Sequence, residues 1–136
     1  MQYIQAIFDG ELPAPPISLL MGFRGVEAEP GRALFEMEPG PEHYNPIGSV
    51  HGGVALTLLD SAMGCAVHTL LDAGVGYTTV EVKTNFVRPI TLETGLIRCE
   101  GIVLHKGSRV ATAEGKLTDS NGKLLAHGTT TCLIPR

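Results

Sequence analysis

The chemically richest stretch of the sequence runs Asn45-Pro46-Ile47-Gly48-Ser49-Val50-His51-Gly52-Gly53 and leads directly into an apolar segment with a single interior acid, Asp60. A helix that opens at Gly52 leaves its first backbone N–H groups without intrahelical acceptors, and its dipole favours negative charge there. Donors of this kind stabilise a carbonyl oxygen that gains charge during an addition step. Glycine also lets a substrate approach closely, because it has no Cβ; a tight start to the helix is the other use of the pair. Asp60 lies in a segment with no polar face, where an unpartnered carboxylate is costly and needs a partner or a purpose. As a purpose, general-base activation of water or direct nucleophilic attack suits an acyl substrate. As a partner, a backbone group, Thr57 or Ser61 would make it structural.

Spacing constrains how these groups can cooperate. Gly52 and Asp60 are eight residues apart on one helix, a rise of about 12 Å, so one chain cannot bring both to one carbonyl. Two copies with antiparallel neighbouring helices would set the start of one beside the middle of the other, giving two equivalent sites about a two-fold axis. A homo-oligomer, with its sites at the subunit interface, is therefore expected.

Other signals are weaker. His51 precedes the glycines and is placed to cap the helix or to touch substrate. Arg88, His105, Lys106 and Arg109 are expected to cluster near strand ends, where they could hold phosphates, although solvated turn charges look the same in sequence. The five histidines and three cysteines have no ligand spacing, so no metal is expected. Ser61 lacks the Gly-x-Ser-x-Gly turn of a serine hydrolase, and no Gly-x-Gly-x-x-Gly or Walker loop suggests a nucleotide cofactor.

The elements that would position these residues can be read in order. Gln2 to Phe8 reads as a short helix, followed by the breakers Pro13-Ala14-Pro15-Pro16 and then Ile17 to Met21; together residues 1–20 form an N-terminal packing arm. Glu29-Pro30-Gly31-Arg32 marks a hairpin turn, after which Ala33, Phe35 and Met37 alternate with Leu34, Glu36 and Glu38. Gly53 to Asp72 reads as a helix covered on all sides. Beyond it the period changes to two, with Val80, Val82 and Phe86 against Glu81, Lys83 and Asn85 until Pro89. Three strands follow, Leu96 to His105, Arg109 to Thr118 and Lys123 to Ile134, with turns at Lys106-Gly107 and Ser120-Asn121-Gly122. The expected fold class is α+β: a curled antiparallel sheet of about six strands wrapped around one long central helix.

At 136 residues, 43% hydrophobic, the chain suits one domain spanning residues 1–136 with a real core. Ten Lys and Arg against fourteen Asp and Glu, with no basic run, argue against nucleic acid as a partner. The scattered Cys65, Cys99 and Cys132 fit a reduced cytoplasmic setting, and Met1 to Gly10 does not read as a secretory signal. Asp60 and His68 within Val54 to Leu71 argue against a membrane span.

The pattern Asn45, five residues, His51-Gly52-Gly53, then Asp60-x-Ala-x-Gly64 resembles the hotdog thioesterases of the phenylacetic-acid-degradation (PaaI) type. The resemblance covers most of the chain from about Met21 and implies the hotdog fold, paired helices in a dimer or a tetramer, and hydrolysis of an acyl-CoA without further cofactor, coenzyme A being part of the substrate. Carried over by residue, it makes Asp60 the base or nucleophile, with the Gly52 N–H and the Asn45 side chain orienting the thioester or water. Thr79 falls where related enzymes carry a hydroxyl that holds the water, with Thr78 adjacent. The same likeness lets His51, Gly53, Arg88, His105, Lys106 and Arg109 be considered for substrate and coenzyme A binding. A non-catalytic acyl-CoA sensor and a hotdog acyl-thioester dehydratase are the alternative functions; the dehydratase would need a His-acid motif that the sequence lacks.

Overall fold

The computed structural model describes residues 1–135. Six strands form one antiparallel sheet: β1 (Phe23–Glu29), β2 (Arg32–Met37), β3 (Thr78–Phe86), β4 (Ile97–Lys106), β5 (Val110–Asp119) and β6 (Leu124–Leu133), in the order β1-β2-β4-β5-β6-β3. Two short helices, α1 (Gln2–Phe8) and α2 (Pro16–Met21), precede the sheet, and the long helix α3 (Gly52–His68) lies between β2 and β3. This is the hotdog arrangement expected from the sequence.

Turn chemistry sets the registers. Gly31 adopts φ +82° in the β1–β2 turn and Gly122 φ +81° between β5 and β6, a region that glycine enters without steric penalty. Asp119 Oδ1 accepts from the N–H groups of Asn121 and Lys123, both at 2.9 Å, closing the second turn.

The sheet curls around α3 because glycines let the helix approach it. Gly101 on β4 stands opposite Gly115 on β5, and Gly115 opposite Gly128 on β6. A Cβ on Gly101 would meet the backbone of Ala62 and Met63, and one on Gly115 the side chains of Leu59 and Met63. Leu58, Leu59, Met63 and Val67 of the helix are sealed against Met37, Ile97, Cys99 and Leu117 of the sheet. Burial on this scale is the dominant favourable contribution to folding.

Four expectations need correction. The helix ends at His68 rather than Asp72, its last turn continued by Thr69, whose hydroxyl donates to Ala66 O at 2.6 Å. Nor is α3 covered on all sides: Gly53, Thr57, Asp60 and Ser61 are only half-buried and Leu56 is 37% exposed, leaving a stripe at helical spacing open. On β2 both faces are buried, Leu34 and Glu36 included, and Glu36 is held there by Arg24 at 3.2 Å and Arg98 at 2.8 Å. On β3 the apolar set does not point uniformly inward: a register shift between Thr79 and Glu81 and the strand's edge position leave Val80 58% and Phe86 59% exposed.

The N-terminal arm is keyed into the sheet. Phe8 packs where a Cβ on Gly25 would otherwise sit, and its ring meets Phe35 edge-on at 5.2 Å. His43 ties the end of the arm down, its Nε2 donating to Met21 O at 2.6 Å and its Nδ1 accepting from Gly40 N–H at 2.9 Å. No described helix is long and apolar enough to cross a membrane.

Candidate active site

Two groups of residues, at two heights on α3, make up the candidate site. The first is at the start of the helix. His51 is the N-cap, and its Nδ1 accepts from the Gly53 N–H at 2.8 Å. That bond requires Nδ1 to be unprotonated, so in the neutral ring the proton sits on Nε2. It also corrects the expectation for Gly53, whose N–H is spent on the cap. Gly52, at the first helical position, finds no acceptor for its N–H among the described residues.

Asn45 stands beside Gly52 but is largely occupied by its own loop. Its Oδ1 accepts from Ile47 N–H at 3.0 Å and Ser49 N–H at 3.2 Å, and its Nδ2 donates to Ser49 Oγ at 3.2 Å. One amide hydrogen remains for a substrate. Asn45, His51, Gly52, Phe86 and Arg88 line one cleft of about 300 Å³.

The second group sits two turns along. Thr79 Oγ1 donates to Asp60 Oδ1 at 2.9 Å. This bond separates the two adjacent threonines: Thr79 faces the helix and Thr78 is exposed. Neither Thr57 nor Ser61 bonds the Asp60 carboxylate; Thr57 Oγ1 instead donates back to Gly53 O at 2.8 Å. Among the described residues Oδ2 has no hydrogen-bond partner, and the carboxylate lies on the open stripe of the helix.

Asp60 and Thr79 do not line the Gly52 cleft, as the rise of about 12 Å along the helix requires. Nor do the four basic residues form a single cluster. Arg88 follows the Phe86 end of β3, whereas His105, Lys106 and Arg109 surround the β4–β5 turn at the opposite end of the sheet, beyond Thr78. The nine residues of β3 separate the two ends by about 27 Å. All four are exposed.

Residues that the sequence did not single out adjoin the Asp60 group. The Tyr77 ring lies against Gly64, one turn past Asp60, where any Cβ would collide with its hydroxyl. Ser61 and Cys65 share a pocket with Tyr77. Burial pushes the Cys65 thiol up to about 12, with Asp60 adding to the shift, and raises the Tyr77 phenol as well. The only sequence signal for this wall is its spacing from the motif, with Cys65 five residues past Asp60 and Tyr77 two before Thr79. Among the described residues no group of three or more His, Cys, Asp or Glu side chains could hold a metal ion.

An α-helix wrapped by a curled six-stranded sheet, with an acid on an open helical stripe and a free N–H donor at its glycine start, is the frame of a thioesterase. Residues 47–126, more than half the chain, match the Thioesterase superfamily, and the chain belongs to it. Acyl-coenzyme A thioesterase 13 of Homo sapiens is 32% identical over 104 residues, which cover 76% of this chain and 73% of the human protein. Among solved structures, the phenylacetic acid degradation-related protein of Ralstonia eutropha JMP134 superposes with a TM-score of 0.86 at 27% identity, covering 96% of this chain and 98% of that one. Zebra fish thioesterase superfamily member 2 superposes at 0.81 with 27% identity, covering 98% and 97%. The resemblance to the PaaI-type hotdog enzymes thus holds over nearly the full length, and the chain is a thioester hydrolase.

Proposed function

We propose that the protein hydrolyses acyl-CoA thioesters as a homodimer or a dimer of dimers, with each site assembled from two chains. The observation that carries this reading is the Asp60 carboxylate, held by Thr79 on one oxygen and open on the other, on a stripe of α3 that its own chain leaves uncovered. A second helix packed antiparallel on that stripe would bring the partner's helix start, with its unpaired N–H, to the same carbonyl.

In this arrangement Asp60 Oδ2 takes a proton from a water whose oxygen attacks the thioester carbon. The Gly52 N–H of the other chain stabilises the charge that collects on the carbonyl oxygen, and the remaining Asn45 amide hydrogen orients the thioester. Collapse of the adduct breaks the C–S bond, and the coenzyme A thiolate leaves to take up the proton. The same geometry serves direct attack by Asp60, which would form a mixed anhydride that water then cleaves. His51 Nε2 and Arg88 extend the donor surface at the helix start, and His105, Lys106 and Arg109 offer phosphate-binding charge at the other end of the sheet. The relatives fit an acyl-CoA substrate: one is an acyl-coenzyme A thioesterase, and another, 24% identical, is the 1,4-dihydroxy-2-naphthoyl-CoA hydrolase of Listeria monocytogenes.

The test is thiol release from a panel of short, medium, long and aryl acyl-CoAs by the wild type and by Asp60→Asn. Burial pushes all three protein thiols up, so a thiol reagent near neutral pH reads the coenzyme A released. Turnover that falls by at least a hundredfold in a folded Asp60→Asn protein of unchanged oligomeric state supports the reading. Acyl-CoA binding without turnover by the wild type would move the protein to an acyl-CoA sensor.

A further inference from the structure

Beneath the N-terminal arm lies an apolar pocket of about 270 Å³ that the chemistry above does not use. Ile4, Phe8 and Ile17 of the arm form one wall, and Ser61, Cys65 and Tyr77 form the other. The second wall continues from the candidate site, because Ser61 follows Asp60 on the helix and Tyr77 lies two residues before its hydrogen-bond partner Thr79. Both walls are structurally fixed: Phe8 is wedged over Gly25 and against Phe35, and Tyr77 is packed on Gly64. Arg24 is the one charged residue among those that line the pocket, and its guanidinium is paired with Glu36 at 3.2 Å.

We infer that this pocket receives the acyl end of the substrate and sets its size, making the N-terminal arm a specificity element. The inference rests on the thioesterase reading for the position of the carbonyl. A thioester whose carbonyl lies at Asp60 has only to direct its acyl group along the helix, past Ser61 toward Cys65, to enter apolar surroundings. Capacity follows from volume. An apolar cavity of about 150 Å³ holds one benzene ring, and in the same proportion this pocket takes about ten carbons, as a medium-length chain or a two-ring aryl group. Longer chains would have to lift the arm off Gly25.

The test uses S-alkyl-CoA thioethers, which cannot be hydrolysed, with chains from butyl to hexadecyl and binding measured by calorimetry. Affinity for the wild type is expected to rise about fourfold per methylene as far as about ten carbons and then to level off. Cys65→Phe fills the pocket from the helix and Ile17→Trp from the arm. Either variant, folded and of unchanged oligomeric state, is expected to flatten the series from its shortest members while binding coenzyme A itself as the wild type does. A wild-type series with no slope, a slope that continues to hexadecyl, or variants that keep the wild-type slope would each overturn the inference. No turnover is needed, so the outcomes separate: a sloped series in a protein without thioesterase activity removes the proposed function and leaves the pocket, whereas turnover with a flat series does the reverse.

Discussion

Thr79 Oγ1 donates to Asp60 Oδ1 at 2.9 Å, joining the first residues of an edge strand to the middle of the central helix across nineteen positions of sequence. The bond holds the carboxylate by Oδ1 and leaves Oδ2 for a reacting water or acyl carbon. Its effect on rate is separable from any effect on folding, because serine keeps the hydroxyl while valine keeps the shape.

Thr79→Val is therefore expected to lower kcat by about ten- to a hundredfold, in the range of lost positioning for a general base, while Thr79→Ser retains most of it. Thermal unfolding should differ little between the two. Equal losses in both variants would show that the methyl packing, not the hydroxyl, is what matters there.

A site shared between chains predicts complementation. Gly52→Pro removes the N–H at the first helical position, where proline is well tolerated, and His51 already has the extended φ −58°, ψ 136° that a following proline requires. Gly52→Pro and Asp60→Asn should each be inactive alone. Subunits mixed and re-annealed should recover about a quarter of wild-type activity, since half the dimers are mixed and each holds one intact site. No recovery, with exchange verified by mass, would place Gly52 and Asp60 in separate roles.

Much of this arrangement is legible in the sequence, for physical reasons. The late strands and their turns are marked by a two-residue period and by Asn121-Gly122, both local signals. Asp60 stands out because an acid in an apolar helix needs an explanation. The open stripe around Leu56 and Thr57 is hidden, because small and apolar residues look the same whether their own chain or another covers them. Edge strand β3 is misjudged for a related reason: its period is regular, but no neighbour lies beyond it to bury Val80 and Phe86. The pocket under the arm is invisible because its two walls come from opposite ends of the first eighty residues, brought together only by tertiary packing.

The glycine pair beneath the helix is a stability determinant. A Cβ on Gly101 would strike the backbone at Ala62 and Met63, which cannot move without shifting α3 off the sheet. Gly101→Ala is expected to cost more than about 3 kcal/mol in urea unfolding, at the upper end for overpacking, or to prevent folding. At Gly76 an added Cβ meets open space and φ lies outside the left-handed region. Gly76→Ala should therefore be neutral or stabilise by up to about 1 kcal/mol through the unfolded state.

His68 confers an acid sensitivity whose sign can be worked out. Its ring lies between Tyr3, at 5.6 Å, and Tyr77, at 5.5 Å, at the C-terminal end of α3. Burial, and then the positive amino terminus, lower its pKa below the ordinary value, while Asp72 lines the same cleft. The folded protein thus binds this proton less readily than the unfolded chain does. Stability from this residue is complete above the unfolded value, about 6.5, and is lost as pH falls from there through the lowered folded value. His68→Gln removes the titration. The urea midpoint of the wild type should drop more than that of His68→Gln between pH 7.5 and pH 5, with parallel curves above pH 7. A variant whose midpoint falls as steeply as the wild type would assign the acid limb to other groups.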